Sequence, residues 1–375
     1  MRILHVIPNL KKGGAERLTL DICNALSKKP GVDVAVITFQ DANAYPFLSR
    51  NVTVKVIPAR FIPSLSGRPT KQLDAYKHFL ETFKPDIIHS HLFEAEMTSR
   101  QIIQPGVRYF SHLHDNMWQF SRLALPDIFS KKRLTALYEK RLLIRQYRQC
   151  DNRFIAISRH TADYFARCLP ADLAGKIVVL HNAIDYQRFK GSPDSVPAKD
   201  YVRLITTGSL VDKKNQIFLI DVVHRLSMKG YNVYLDILGD GPNRLKIEER
   251  IRSLNLSDRI LLHGNVAHVE DLLRQAHIYV HAALYEPFGL AIVEAMAGGL
   301  PCVMLDGGGN GDLAVEGKNC FMIKMPDAEM FAAQIERLVL NQALYKNMSA
   351  YANRFAMQFD IGQYTDKLLD IYRQN

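Results

Sequence analysis

The sequence predicts an α/β protein of two doubly wound, Rossmann-like domains, and three observations carry that prediction. Short β-branched runs alternate with stretches of helical apolar spacing along the whole chain. A polar, turn-rich segment over 189–197 interrupts the alternation near its middle, and the charge balance changes sign there. Strands alternating with helices imply βαβ units and parallel sheets. Strand runs that are apolar almost throughout fit sheets covered by helices on both faces. A length of 375 residues suits two domains of about 100–200 residues each.

In chain order, the first half holds candidate strands over 3–7, 34–39, 52–56, 86–89, 108–113 and 153–157. The second half holds them over 202–206, 233–238, 260–263, 278–281 and 301–305. Helical spacing is clearest over 15–26 and 216–229. The break near 188–200 reads as a linker.

The hydrophobic fraction is 47% and the charged fraction 23%, which excludes a disordered chain, a collagen and a small disulfide scaffold. The five cysteines, at 23, 150, 168, 302 and 320, form no C-x-x-C pair. They read as reduced thiols, with no structural zinc. No run approaches the ~18 apolar residues of a membrane span. The N-terminal apolar run is short and followed by Lys11, Lys12, Glu16 and Arg17, unlike a signal peptide. A cytoplasmic protein is expected.

Residues 1–190 hold 29 Lys and Arg against 16 Asp and Glu, a balance of +13, whereas 191–375 hold 19 against 22, a balance of −3. One domain therefore meets something anionic: nucleic acid, a membrane surface or a phosphorylated substrate. The segment 130–148, rich in Lys and Arg, reads as a basic amphipathic helix. It is either an ordinary surface helix or a dock for anionic lipid headgroups.

Three strand-to-helix turns carry paired glycines or lysines. Gly13-Gly14 opens the first helix, where backbone N–H groups and the helix N-terminus favour an anion. The third glycine of the dinucleotide fingerprint is missing, so a tight structural turn is equally open. Gly208-Ser209 leads to Lys213-Lys214, and a lysine at such a turn neutralises phosphate as a point charge. Gly239-Asp240-Gly241-Pro242-Asn243-Arg244 is either a turn that needs positive φ or a binding loop.

The most specific feature is Glu286-Pro287-Phe288-Gly289-Leu290-Ala291-Ile292-Val293-Glu294. Glu286 falls in a loop, and Glu294 about two turns into the apolar helix that follows. An acid in such a run needs a partner. Sugar hydroxyls or a ribose diol would satisfy it, and so would an internal salt bridge. Gly307–Asp312 then adds a backbone-rich loop at the C-terminal strand edge, where ligands collect.

His89, His91, His112 and His114 cluster near the ends of two adjacent strands, the members of each pair sharing a face. No carboxylate or cysteine pattern completes a metal site there, so no metal is assigned. Trp118 and Phe120 read as core or pocket wall.

Taken together, these motifs resemble the retaining glycosyltransferases of glycosyltransferase family 4. They are Gly13-Gly14-Ala15-Glu16-Arg17, Asp86-Ile87-Ile88-His89-Ser90-His91, His114-Asp115, Asn182-Ala183-Ile184-Asp185, Lys214-Asn215, Gly239-Asp240-Gly241-Pro242 and the Glu286/Glu294 pair, in that order over about 300 residues. The resemblance implies the GT-B fold, two Rossmann-like domains facing across a cleft. An acceptor-binding domain would span 1–188, a nucleotide-sugar-binding domain 189–356, and a C-terminal helix within 357–375 would cross back to the first.

It also implies roles. Glu286 would face the donor sugar, Glu294 would hold the ribose and Lys214 would contact the diphosphate. Backbone groups at Gly13, Gly14, Phe288, Gly289 and Leu290 would surround the sugar-phosphate, and His114 would touch the sugar. Ser209 stands where the family often has Arg, leaving Lys213 or Arg244 as the second cation, and Asp312 stands where Glu is usual.

No D-x-D occurs, so Lys214, helix N-termini and backbone N–H groups are expected to stabilise the leaving group without a metal or other cofactor. The expected activity is retaining transfer from a nucleoside-diphosphate sugar, UDP-sugars favoured, to a saccharide or polyprenyl-diphosphate-linked acceptor in surface-polysaccharide assembly. A peripheral position on the cytosolic membrane face through 130–148 extends that reading. The alternatives are a nucleotide-sugar epimerase of the same architecture, or a basic lipid- or nucleic-acid-binding protein. The absence of zinc-finger, RNA-recognition or basic-aromatic signatures argues against nucleic acid.

Overall fold

The computed structural model describes residues 1–61, 70–71, 73–121 and 130–374. Asn375, included in the expected C-terminal segment, lies outside them. The chain divides into two compact units, Met1–Ala183 with Ile361–Asn375, and Ile184–Asp360.

The first unit contains β1 (Arg2–Ile7), β2 (Asp33–Thr38), β3 (Thr53–Val56), β4 (Arg60–Phe61), β5 (Thr70–Lys71), β6 (Ile87–His91), β7 (Arg108–Leu113), β8 (Arg153–Ala156) and β9 (Ile177–Val179). β4 and β5 form a two-stranded antiparallel pair, and the other seven form one parallel sheet in the order β3-β2-β1-β6-β7-β8-β9. The second unit contains β10 (Val202–Thr207), β11 (Val233–Leu238), β12 (Ile260–Gly264), β13 (Ile278–His281), β14 (Cys302–Leu305) and β15 (Cys320–Ile323), parallel in the order β12-β11-β10-β13-β14-β15.

Each sheet reverses its winding direction once, between β1 and β6 and between β10 and β13. Those reversals leave a crevice at the carboxyl ends of the strands, where open α/β sheets place their ligands. The central strands are buried on both faces and mostly apolar, although β6 ends in His89, Ser90 and His91. β9 and β15 were not expected. Each is only three or four residues long and is held by pairing to a neighbour rather than by its own pattern.

The compact units divide at 183/184 and 360/361. The polar 189–197 segment is not a free linker but is tied to the second unit. The Gly191 N–H donates to the Ala297 carbonyl and the Asp194 N–H to the Arg274 carbonyl. Asn353 Nδ2 donates to the Gly191 carbonyl, and Ser195 Oγ lies 2.7 Å from His277 Nε2. Turn-forming composition marks irregular backbone and does not distinguish a packed segment from a loose one. The last helix, Ile361–Arg373, packs in the first unit. It buries Tyr364, Leu368, Leu369 and Tyr372, and Lys29 pairs with Asp366.

The second unit packs around one large apolar cluster. In the first unit the middle of the sheet is polar on both faces. On one face the buried Arg100 guanidinium donates to Ser90, Ser111 and Asn152, while the Glu96 carboxylate accepts from Ser111 and Tyr147. The other face carries histidines.

Candidate active site

Four loops meet at the C-terminal edge of the second sheet. The loop after β10 starts at Gly208 and ends in the short helical turn Asp212–Lys214. Its neighbour after β11 approaches so closely that a Cβ on Gly239, whose φ is +130°, would lie 2.1 Å from the Gly208 carbonyl oxygen. Of the two readings open for that turn, the structure shows the backbone need directly. From β13 the chain runs through Ala282–Tyr285 to Glu286, and the Leu284 N–H donates to the Lys213 carbonyl at 2.9 Å.

The glycine-rich loop after β14 clamps Glu286 from the other side. The Glu286 N–H donates to the Gly307 carbonyl and the Gly309 N–H to the Glu286 carbonyl, both at 2.8 Å. A Cβ on Gly309 would stand 1.8 Å from the Pro287 carbonyl oxygen, so only glycine fits there.

This backbone frame presents a buried ion pair. Glu286 is 6% exposed. Its Oε2 is bonded by Lys214 Nζ, and His281 Nε2 lies 3.1 Å away. Burial alone would raise the Glu286 pKa. His281 and the Lys214 ammonium outweigh it and bring the carboxyl down to about 2. Glu286 is therefore ionised throughout the neutral range and is only a weak base there.

Gly289 immediately precedes the helix Leu290–Ala297, whose first turn carries N–H groups without helical partners. Phe288 is buried, with its ring 5.7 Å from Phe359. Glu294 sits half-buried in the same helix, and its charge reaches Tyr279 beneath Glu286.

Three of the expected donor contacts have partners within the chain. Arg244 Nε bonds Glu248 Oε1 at 2.9 Å. Lys213 lies over the Tyr285 ring. The Ser209 carbonyl accepts from Gln216 Nε2 at 3.0 Å. Lys214 is thus the cation that the fold brings to the glutamate.

In the first unit, Gly13 precedes the helix Gly14–Leu26. Its N–H donates to Tyr45 Oη and its carbonyl accepts from the same hydroxyl, both at 3.0 Å. Glu16 folds its carboxylate back over Gly13, with Oε2 2.2 Å from where a Cβ would lie. Burial raises the Glu16 pKa. The helix N-terminus is therefore occupied by the chain's own carboxylate, and an incoming anion has to displace it.

At the winding reversal of this unit lies a ladder of imidazoles. Register pairs His5 with His89 and His91 with His112, and the i, i+2 spacing keeps all of them and His114 on one face. Neighbouring ring centroids are 4.1–5.1 Å apart. Burial pulls His5 and His112 down to about 3 and His89, His91 and His114 well below the ordinary value. All five are neutral at pH 7.

Ligand nitrogens of His5, His89 and His91, and of His91, His112 and His114, lie within 4.8 Å of one another. Both nitrogens of His91 are already engaged by His5 and His114. Tyr372 from the last helix bonds His89 Nδ1.

Sequence reasoning missed His5, His281, Tyr45 and Tyr372. His281 had a signal, a polar residue ending the strand that leads to Glu286. His5 had none until the register set it beside His89.

On the helix Lys131–Gln149, Leu134, Arg141, Arg145 and Arg148 are exposed along one stripe, and Ala136, Leu143 and Tyr147 are buried opposite. Trp118 is 39% exposed under Lys132, whereas Phe120 is fully buried.

Residues 12–188 match the family described as Glycosyltransferase Family 4, and residues 188–355 match Glycosyl transferases group 1. With nearly the whole chain matched, the protein belongs to the family 4 glycosyltransferases and is a glycosyltransferase of the GT-B fold. It is 24% identical over 392 residues to the UDP-Gal:alpha-D-GlcNAc-diphosphoundecaprenol alpha-1,3-galactosyltransferase of Escherichia coli, covering 99% of this chain and 96% of that one. Among solved structures, Anabaena Alr3699/HepE in complex with UDP and glucose superposes with a TM-score of 0.78 at 22% identity, covering 99% of this chain and 98% of that one. The sucrose-phosphate synthase of Thermosynechococcus elongatus superposes with a TM-score of 0.80 at 18% identity, covering 100% of this chain and 99% of that one.

Proposed function

We propose that this glycosyltransferase moves a sugar from a UDP-sugar to a saccharide or polyprenyl-diphosphate-linked acceptor in surface-polysaccharide assembly, with retention and without a metal ion. The carrying observation is the Lys214–Glu286–His281 group at the winding reversal of the second unit. Lys214 exchanges its carboxylate partner for the diphosphate as the nucleoside diphosphate departs, and the first turn of Leu290–Ala297 adds N–H dipoles. Glu294 takes the ribose diol, and the second unit is the donor-binding one. The first, basic unit takes the acceptor, with His114 meeting the donor sugar.

Same-face attack, with the leaving phosphate accepting the acceptor's proton, fits Glu286 better than a double displacement does. A carboxylate held at about 2 by a cation and an imidazole is a weak base and a poor nucleophile. The UDP-bound structural relative and the diphosphoundecaprenol named for the E. coli relative support the donor and acceptor classes. The exposed stripe of Arg141, Arg145 and Arg148 suits an anionic membrane surface bearing such an acceptor. Among the described residues no helix is long and apolar enough to cross a membrane.

Calorimetry with UDP, GDP and ADP in the presence of a chelator tests this reading. UDP should bind tightest, and Glu294→Ala should weaken it at least tenfold. Failure of every nucleotide to bind the folded protein overturns it. An adduct trapped on Glu286 would restore the double displacement.

A further inference from the structure

Three of the five clustered histidines are joined head to tail. His5 Nδ1 lies 2.8 Å from His91 Nε2, and His91 Nδ1 lies 2.8 Å from His114 Nε2. This row of rings crosses β1 and β6 and ends just past β7. His5 and His91 are buried and His114 is partly exposed. With the rings neutral, each has one nitrogen that donates and one that accepts. His91 uses both of its nitrogens, so the three protons are not independent. Only two arrangements satisfy both bonds, all three on Nε2 or all three on Nδ1.

The two arrangements differ at their ends. With every proton on Nε2, the row runs from His114 inward and strands an N–H at His5 Nε2, which is buried without a hydrogen-bond partner. With every proton on Nδ1, His5 donates to His91 and His91 donates to His114. The N–H left over is then His114 Nδ1, the nitrogen of the partly exposed ring that faces away from His91. A buried orphan donor is among the rarest features of folded proteins, so the outward-running arrangement wins.

We propose that His5 and His91 are positioning residues. Together they lock His114 in its Nδ1–H tautomer, so that it donates a hydrogen bond, as a neutral imidazole, to a hydroxyl oxygen of the donor sugar. The sugar contact rests on the reading of His114 given above, whereas the relay itself does not. The same imidazoles offer ligand nitrogens to a metal, but an ion there would have to break the His91 bonds.

The test is long-range ¹H–¹⁵N correlation of the full chain labelled with ¹⁵N-histidine, at pH 7.5 without donor. His114 is assigned by the signal lost in His114→Gln. The expected result is Nδ1–H at His5, His91 and His114 in the wild type. His5→Leu should release His114 into a mixture of tautomers and raise the donor KM about tenfold, the loss of about one hydrogen bond, with kcat changed less. His5→Asn supplies an amide N–H in place of Nδ1–H and should restore both.

Nε2–H at His114 in the wild type overturns the relay, as does one equivalent of tightly bound zinc or copper found by elemental analysis. If His5→Leu does not fold, the wild-type spectrum still decides. A tautomer change with unaltered KM upholds the relay and removes the sugar contact.

Discussion

The two winding reversals solve one problem with opposite electrostatics. In the second unit a charged pair sits at the strand ends, Glu286 against Lys214, with His281 beside it in a frame of backbone hydrogen bonds. In the first, five imidazoles are stacked so deeply that none carries charge. A buried charge persists only where a matched partner and hydrogen bonds offset its desolvation. Where no counter-charge is at hand, burial removes the charge and leaves direction, an N–H on one side and a lone pair on the other. On the proposed reading, one unit meets a diphosphate and the other orients hydroxyls.

The largest consequence of this contrast is a difference in acid response. Histidines take up protons in the unfolded chain below about 6.5, whereas in the folded unit burial holds His5 and His112 down to about 3 and His89, His91 and His114 well below the ordinary value. Across that window the unfolded state binds more protons, so stability falls as the pH drops. His5 and His112 alone, at ~1.4 kcal/mol per pH unit each below 6.5, should remove about 4 kcal/mol from the first unit between pH 7.5 and 5. Glu286 contributes stability that is complete above its unfolded value of 4.5 and is lost progressively as the pH falls from there to about 2. Hydrogen exchange followed by pH should show β1, β6 and β7 loosening first. Simultaneous loosening of both sheets would break the comparison.

Removing the cation strikes the second unit alone. Lys214→Ala should cost about 3 kcal/mol by leaving Glu286 buried with its main counter-charge gone. It should also lower kcat about 10²–10³-fold, as for other losses of a group that stabilises developing charge. Denaturant melts and steady-state assays read the two effects separately.

Gly309→Ala tests the frame rather than the charge. Its Cβ would collide with the Pro287 carbonyl, and overpacking of this kind costs about 2 kcal/mol. Because the Gly309 N–H holds the Glu286 carbonyl, activity should fall with it. A neutral outcome by calorimetry and assay would mean that the loop adjusts freely.

The smallest effect belongs to the outer surface of the first unit. Arg145→Gln should weaken binding to vesicles containing anionic lipid about fivefold, near 1 kcal/mol per basic residue. The difference should shrink as salt screens the surface. Sedimentation with vesicles at two salt concentrations measures it.

Much of this was legible in the sequence, because βαβ alternation, apolar strand runs and glycine-paired turns are local signals. Gly289 ahead of its helix, Glu286 in a loop and Lys214 in the preceding turn could all be placed from spacing alone. The short strands β9 and β15 and the packed 189–197 segment were not so placed, since the partners that hold them lie far away in the chain. Arg244 differs, because its partner Glu248 stands four residues on along the same helix, a spacing the sequence itself carries.

By itself, then, the sequence determined the βαβ order, the two-domain plan and the identity of the acidic pair, since these depend on periodicities of two and 3.6 residues and on turn chemistry. Only the tertiary structure decided which partners those residues keep. Parallel register set His5 beside His89 and His91 beside His112. The convergence of loops from separate strands turned Lys214, Glu286 and His281 into one group. Such partners are chosen by sheet order and strand register, which link residues far apart in the chain and leave no local trace.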